Sequence, residues 1–189
     1  MQKRGFTLIE LLIVIVILGI LITIVLRVYT GPVQKAKLLQ CKANLKALYT
    51  ACYDYATEEG RFPWAGEGAQ YWEHWAVLVR YNRNGKGIDP KNFVCPEFLN
   101  KHPAKRDEDA GGEWELRPEN VSYAYANDVR TYDSVGYLAA DMDVKIGGQG
   151  QGHQEVIVIL KCTGGDPIVH KLKEGEDWSS VCGKWLSRD

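Results

Sequence analysis

Neither sign of charge dominates this chain of 189 residues, since 23 Lys and Arg oppose 24 Asp and Glu for a net charge of -1. That balance excludes a global basic field of the kind that recruits nucleic acid or anionic lipid, so no nucleic-acid partner is expected. Also missing is any Cys-x-x-Cys pair. The five cysteines, Cys41, Cys52, Cys95, Cys162 and Cys182, are spread along the chain. This argues against a zinc ribbon or a thioredoxin-type site and fits disulfides formed in an oxidising compartment. No phosphate loop is present, because Gly85-Lys86-Gly87 lacks both the spaced glycine before the lysine and the Ser or Thr after it. His-Glu-x-x-His and Gly-x-Ser-x-Gly are absent as well, so the chain is not expected to be an enzyme.

Cofactor signals are equally thin. Asp141 and Asp143, ahead of the Gly/Gln tract 147–152, could offer oxygens to calcium. Such an ion takes six to eight oxygens, however, and two alternating aspartates more often cap a strand end and face water. No cofactor or metal is therefore expected, with calcium at Asp141 and Asp143 as a weak candidate. His153 and His170 are isolated in the sequence and are not read as ligands.

What is present is segregation. From Phe6 to Leu26 the only charge is Glu10, and the other charged residues lie outside this block. About 21 helical residues at about 1.5 Å each span about 31 Å, the hydrocarbon thickness of a bilayer. No short apolar core with a small-x-small cleavage site follows, so this is not read as a removed secretory signal. Lys3 and Arg4 precede the block, which places the N-terminus in the cytoplasm and the bulk of the chain across the membrane. Glu10 is the anomaly: a carboxylate in hydrocarbon needs a partner or a proton, and no cation follows it within the span before Arg27.

The run Arg4-Gly5-Phe6-Thr7-Leu8-Ile9-Glu10 resembles the type IV prepilin family. The resemblance implies that a prepilin peptidase cuts after Gly5 on the cytoplasmic side and that the new N-terminal Phe6 is methylated. It further implies that Glu10 pairs with the Phe6 ammonium of a neighbouring subunit during assembly. Its strongest part covers residues 4–26 and says nothing of what the remainder binds. Many members carry a helix-kinking proline where Arg27 stands; here Gly31 and Pro32 come slightly later, so any kink or melted stretch is expected there.

Beyond the block, Leu38, Cys41, Leu45, Leu48, Cys52 and Tyr55 recur in steps of three and four. They mark an apolar stripe on the second half of one long helix, ended by Gly60 and the turn Arg61 to Trp64. A short helix is predicted over Tyr71 to Tyr81 within an otherwise loop-rich stretch, and short strands over 121–126, 135–140, 155–161 and 167–172. The predicted fold is α+β and pilin-like, with a long N-terminal helix packed on a small antiparallel sheet. Its parts are a leader 1–5, a helix 6–59 whose membrane part is 6–26, and an extracytoplasmic head 60–189. Trp64, Trp72, Trp75 and Trp114 crowd the start of the head. They could stack on sugars or bases, but filling a small core is the preferred reading.

A second resemblance runs through Gln40-Cys41, Asn44-Leu45-Lys46, Gly60 to Pro63, Cys95-Pro96 and the 141–170 region. These look like prepilin-type proteins with a C-terminal His, spacer, Asp-Gly signature; here His153 is followed by twelve residues and then Asp166-Pro167. Cys41 and Cys52 lie about 16 Å apart along one helix, too far to bond each other. The resemblance favours Cys41 with Cys95, and the short separation of C-terminal elements favours Cys162 with Cys182, which leaves Cys52 as a buried thiol.

Two functions compete at this stage. In the leading one the chain is a structural subunit of a type IV pilus or type II secretion pseudopilus. Its implied partners are itself, other pilin-like subunits, the peptidase, the assembly machinery and the membrane. It would sit in the inner membrane first and in a periplasmic or cell-surface filament afterwards. The other is a single-span anchored adhesin or glycan-binding module that does not polymerise.

Overall fold

The computed structural model describes residues 7–82, 88–98, 100–105, 114–126, 136–142, 156–184 and 186–187, without the side chains of 25–31 and 187. The chain divides into two compact units, 1–36 and 37–189, and the division falls inside the first helix, α1 (Leu8–Glu59).

In the first unit the described apolar side chains from Leu8 to Ile24 are exposed, Leu8 at 83% and Ile17 at 51%. Among the described residues no helix is long and apolar enough to cross a membrane. The described side chains of the run end at Ile24, short of the 6–26 block read from the sequence. Pro32 lies inside α1, and helical structure continues unbroken through it to Glu59. The expected melted stretch at Gly31 and Pro32 is therefore not seen. A proline removes one backbone donor and crowds one earlier carbonyl, which a long helix absorbs without ending.

In the second unit the apolar stripe behaves as its spacing requires. Cys41, Leu45, Leu48 and Cys52 are wholly buried, Tyr55 is nearly so, and Leu38 packs at the margin. The helix stops at Gly60, whose φ of 76° is open to glycine and whose N–H donates to the Ala56 carbonyl at 2.9 Å. Helix α2 (Tyr71–Tyr81) begins where the Glu73 carboxylate accepts the Gln70 backbone N–H at 2.7 Å.

The sheet is antiparallel, ordered β4-β3-β2-β1-β5, with β1 Tyr123–Ala126, β2 Tyr137–Asp141, β3 Val156–Lys161, β4 Ile168–Lys171 and β5 Leu186–Ser187. Successive residues of β1 and of β2 from Leu138 onward are buried, so both faces of the sheet centre are covered. A short helix, α3 (Trp178–Cys182), precedes β5. The fold is α+β, a long N-terminal helix on a small antiparallel sheet.

Trp75 lies in the core, and Trp64, Trp72 and Trp114 pack against it partly buried. The Trp75 indole N–H donates to the Tyr123 carbonyl at 3.1 Å, and its ring meets Tyr125 and Phe93 edge-on at 4.7 and 5.7 Å. His74 stacks between Trp64 and Tyr125 and accepts the Ala65 N–H at Nδ1, so its proton sits on Nε2. Burial pushes the His74 imidazole below its ordinary value.

Candidate functional site

The two residues of the expected cut, Gly5 and Phe6, lie outside the described residues. Glu10 lies in the first turn of α1, where its carboxylate accepts the Thr7 N–H at 2.9 Å and the Thr7 hydroxyl at 2.7 Å. The Thr7 hydroxyl oxygen in turn accepts the Glu10 N–H at 3.4 Å. Threonine with glutamate three residues later is a capping box, which satisfies donors that the helix start leaves open. Within one chain, then, Glu10 has a local partner that the sequence reading did not assign.

The second gathering of chemistry is buried. Cys41 comes from the α1 stripe and Asp141 ends β2 opposite Tyr123 of β1. Cys95 follows a 3-10 turn, Pro90–Phe93, which the Asp89 side chain caps by accepting the Lys91 N–H at 2.9 Å. The turn is tied on two sides. Asn44 of α1 donates to the Val94 carbonyl at 3.0 Å, and Ser122 donates its N–H to the Phe93 carbonyl at 3.0 Å and accepts the Cys95 N–H on its hydroxyl.

These ties bring the ligating atoms of Cys41, Cys95 and Asp141 within 4.8 Å of one another. The Cys41 thiol donates to Asp141 Oδ1 at 2.9 Å, and the Tyr123 hydroxyl donates to Cys41 Sγ at 3.4 Å. The Trp178 indole N–H holds the Asp141 carbonyl. Cys41, Cys95, Tyr123 and Asp141 are all 0% exposed, and the only buried histidine among the described residues, His74, belongs to the aromatic stack. Burial pushes the Asp141 carboxyl up to about 7, opposed by hydrogen bonds from both thiols and the Val158 backbone. The Cys41 thiol is pushed well above its ordinary range, again chiefly by burial.

Asp141 thus corrects its sequence reading, since it neither faces water nor caps an exposed strand end. Nor do its neighbours suit calcium, because two thiols stand where that ion would need oxygens. Asp143 and His153 lie outside the described residues.

All five cysteines are buried thiols, so neither expected disulfide is closed. Cys41 and Cys95 are nonetheless neighbours. Cys162 is different: its electrostatic neighbours include Cys52 and Tyr125, while Cys182 feels the charge of Asp141. No bond joins Cys162 to Cys182: Trp178 of α3 holds the end of β2, whereas Cys162 follows β3 and its carbonyl accepts the Tyr49 hydroxyl of α1. Asp166 is exposed and bonds Lys46 at 2.7 Å, and His170 meets Glu176 at 3.1 Å, so these two share no site. Sequence reasoning missed Tyr123 and Asp141 as one unit. Pairing across two strands joins them, and no short-range spacing reports it.

Residues 1–26 match the family described as the prokaryotic N-terminal methylation motif. Similarity reaches further: the type II secretion system core protein G of Aeromonas hydrophila is 39% identical over 106 residues, which cover 54% of this chain and 68% of that protein. The chain belongs to the type IV pilin and pseudopilin family. The core protein G of Pseudomonas aeruginosa is 31% identical over 102 residues, 54% of this chain and 66% of its own. The type IV major pilin PilA of Myxococcus xanthus is 44% identical over 61 residues, 32% of this chain and 28% of that pilin. This member of the family therefore spans from about a quarter to two thirds of the relatives it matches. No solved structure matches it significantly.

Proposed function

We propose that the chain is a structural filament subunit of a type IV pilus or a type II secretion pseudopilus and that it carries out no catalysis. In this reading residues 6–26 hold it in the inner membrane with the N-terminus in the cytoplasm. A prepilin peptidase removes residues 1–5, Phe6 is methylated, and assembly machinery draws the subunit into a periplasmic or surface filament beside other pilin-like subunits. The observation that carries the reading is that identity to core protein G extends over 106 residues, far past the 26 of the processing motif. A binding module that does not polymerise has less support, because Trp75 is wholly buried and Trp64, Trp72 and Trp114 pack against the core.

Glu10 has a specific part in this proposal. Its carboxylate is shared with Thr7 within the chain and has lone pairs left for the Phe6 ammonium of a neighbour. Mass spectrometry of protein from a host with an active peptidase should find chains that begin at Phe6 with one added methyl group. Electron microscopy of sheared material should find filaments that vanish without the assembly ATPase. Chains beginning only at Met1, or full function without that ATPase, would count against the proposal.

A further inference from the structure

We propose that Cys41, Cys95 and Asp141 form a disulfide-forming centre, in which Cys41 and Cys95 close to a bond joining α1 to the turn after residue 93 while the Asp141 carboxylate takes the proton of the attacking thiol. The co-reactant is a disulfide, carried by a small thiol or by a thiol oxidoreductase. The filament reading enters only as the source of an oxidising compartment.

Three elements far apart in sequence deliver these groups to one place, with their ligating atoms within 4.8 Å of one another. Both thiols hydrogen-bond to the one carboxylate, Cys41 at 2.9 Å, so a proton acceptor stands beside either sulfur. The thiolate is the nucleophile in exchange, and a buried thiol without a base or a cation stays protonated. Asp141 is the base within reach. Cys52 and Cys162 make the contrast: they too are buried neighbours, but the groups that act on Cys52 among the described residues are the Tyr125 phenol and Cys162, and burial pushes its thiol up.

Access favours Cys95 as the first sulfur to react. Cys41 sits inside the helix stripe, whereas Val94 and Pro96 flank Cys95 half-buried, so displacing one turn opens the second site and leaves the sheet intact. The Cys95 thiol attacks the incoming disulfide, forming a Cys95 mixed disulfide and releasing one thiol. The Cys41 thiol then gives its proton to Asp141, and its sulfur attacks the Cys95 sulfur. The Cys41–Cys95 bond forms and the mixed disulfide breaks. The departing thiolate takes up the proton that Asp141 held. Two protein thiols lose two electrons in all, and the incoming disulfide gains them as two thiols.

The test uses the full-length chain in detergent, reduced and unfolded, then refolded in glutathione and glutathione disulfide. Samples are quenched by alkylation and mapped as peptides. A Cys41–Cys95 linkage is expected, with Cys52, Cys162 and Cys182 alkylated. In Asp141→Asn the closing step should slow at least about tenfold, and glutathione should accumulate on Cys95, a signature that a merely structural role would not give. Asp141→Glu, which keeps a carboxylate, should restore closure and guards against misfolding of the Asn variant. Alkylation of all five cysteines at equilibrium, a Cys52–Cys162 linkage, or one bound zinc that shields Cys41 and Cys95 until a chelator is added would overturn the proposal. So would wild-type closure in Asp141→Asn. Filament formation is not among the readouts, so failure here is distinct from failure of the filament reading.

Discussion

Replacing Asp141 with Asn should change how stability responds to pH. The folded carboxyl titrates at about 7, raised by burial from its ordinary 3.8. In the unfolded chain it returns to the ordinary value. Because the folded value is the higher one, the native state keeps a proton that the unfolded chain surrenders. The associated stabilisation is complete below about pH 4 and is lost as pH rises through about 7. A gap of about three pH units corresponds to about 4 kcal/mol in all, of which about 2 to 3 falls between about pH 5 and pH 8. Cys41, Cys182 and Tyr123 are pushed upward by burial and stay neutral in that window. His74 is pushed downward and acts in the opposite sense, losing stability as pH falls below its ordinary 6.5, but it is common to both proteins and cancels in their difference. Asn keeps one carbonyl acceptor and introduces donors near two thiols, at a pH-independent cost of about 1 to 2 kcal/mol. Urea titrations of the reduced full-length protein, followed by tryptophan fluorescence, should therefore show the variant gaining about 2 to 3 kcal/mol on wild type from pH 5 to pH 8. A difference that stays constant across that range would refute a buried carboxyl whose titration is raised to about 7.

Leu45→Ala removes a wholly buried side chain from the α1 stripe and should cost about 2 to 5 kcal/mol in the same urea titration. Gly165→Ala should destabilise by about 1 to 3 kcal/mol, because φ is 66° and the new Cβ would sit 2.8 Å from the Tyr49 ring, which its hydroxyl pins to the Cys162 carbonyl; thermal unfolding measures it. Lys46→Ala, which breaks an exposed pair with Asp166, should change the unfolding midpoint little. Glu10→Ala should leave the head resistant to protease while filament yield falls sharply when the variant is the only copy. Normal yield would separate Glu10 from assembly.

The helical stripe was legible because period-3.6 burial leaves a direct mark, and every position from Cys41 to Tyr55 that the spacing selected is buried. Helix α2 and four strands were legible for similar local reasons. Strand β5 was not, since two residues, Leu186 and Ser187, carry no period and owe their state to pairing with Tyr125 and Ala126. Asp141 was misread for a related reason. At the end of a strand an aspartate ordinarily reaches water, and here Cys41 of α1 and the Cys95 turn meet the carboxyl while Trp178 holds the backbone carbonyl of the same residue. The processing motif was legible as sequence, whereas the Thr7 partner of Glu10 emerged from the helix start itself.

Strand β4 lies at one edge of the sheet, paired on one side with β3, and Ile168 and Val169 on it are exposed at 39% and 41%. Crowded copies of such an edge would invite intermolecular strand pairing and aggregation. The chain counters this with three devices at the same place: Pro167 withholds a donor just before the strand, Lys171 and Lys173 set positive charge at its far end, and the strand is only four residues long. In the filament proposed above, where copies would crowd together, these devices would keep the sheets from joining edge to edge.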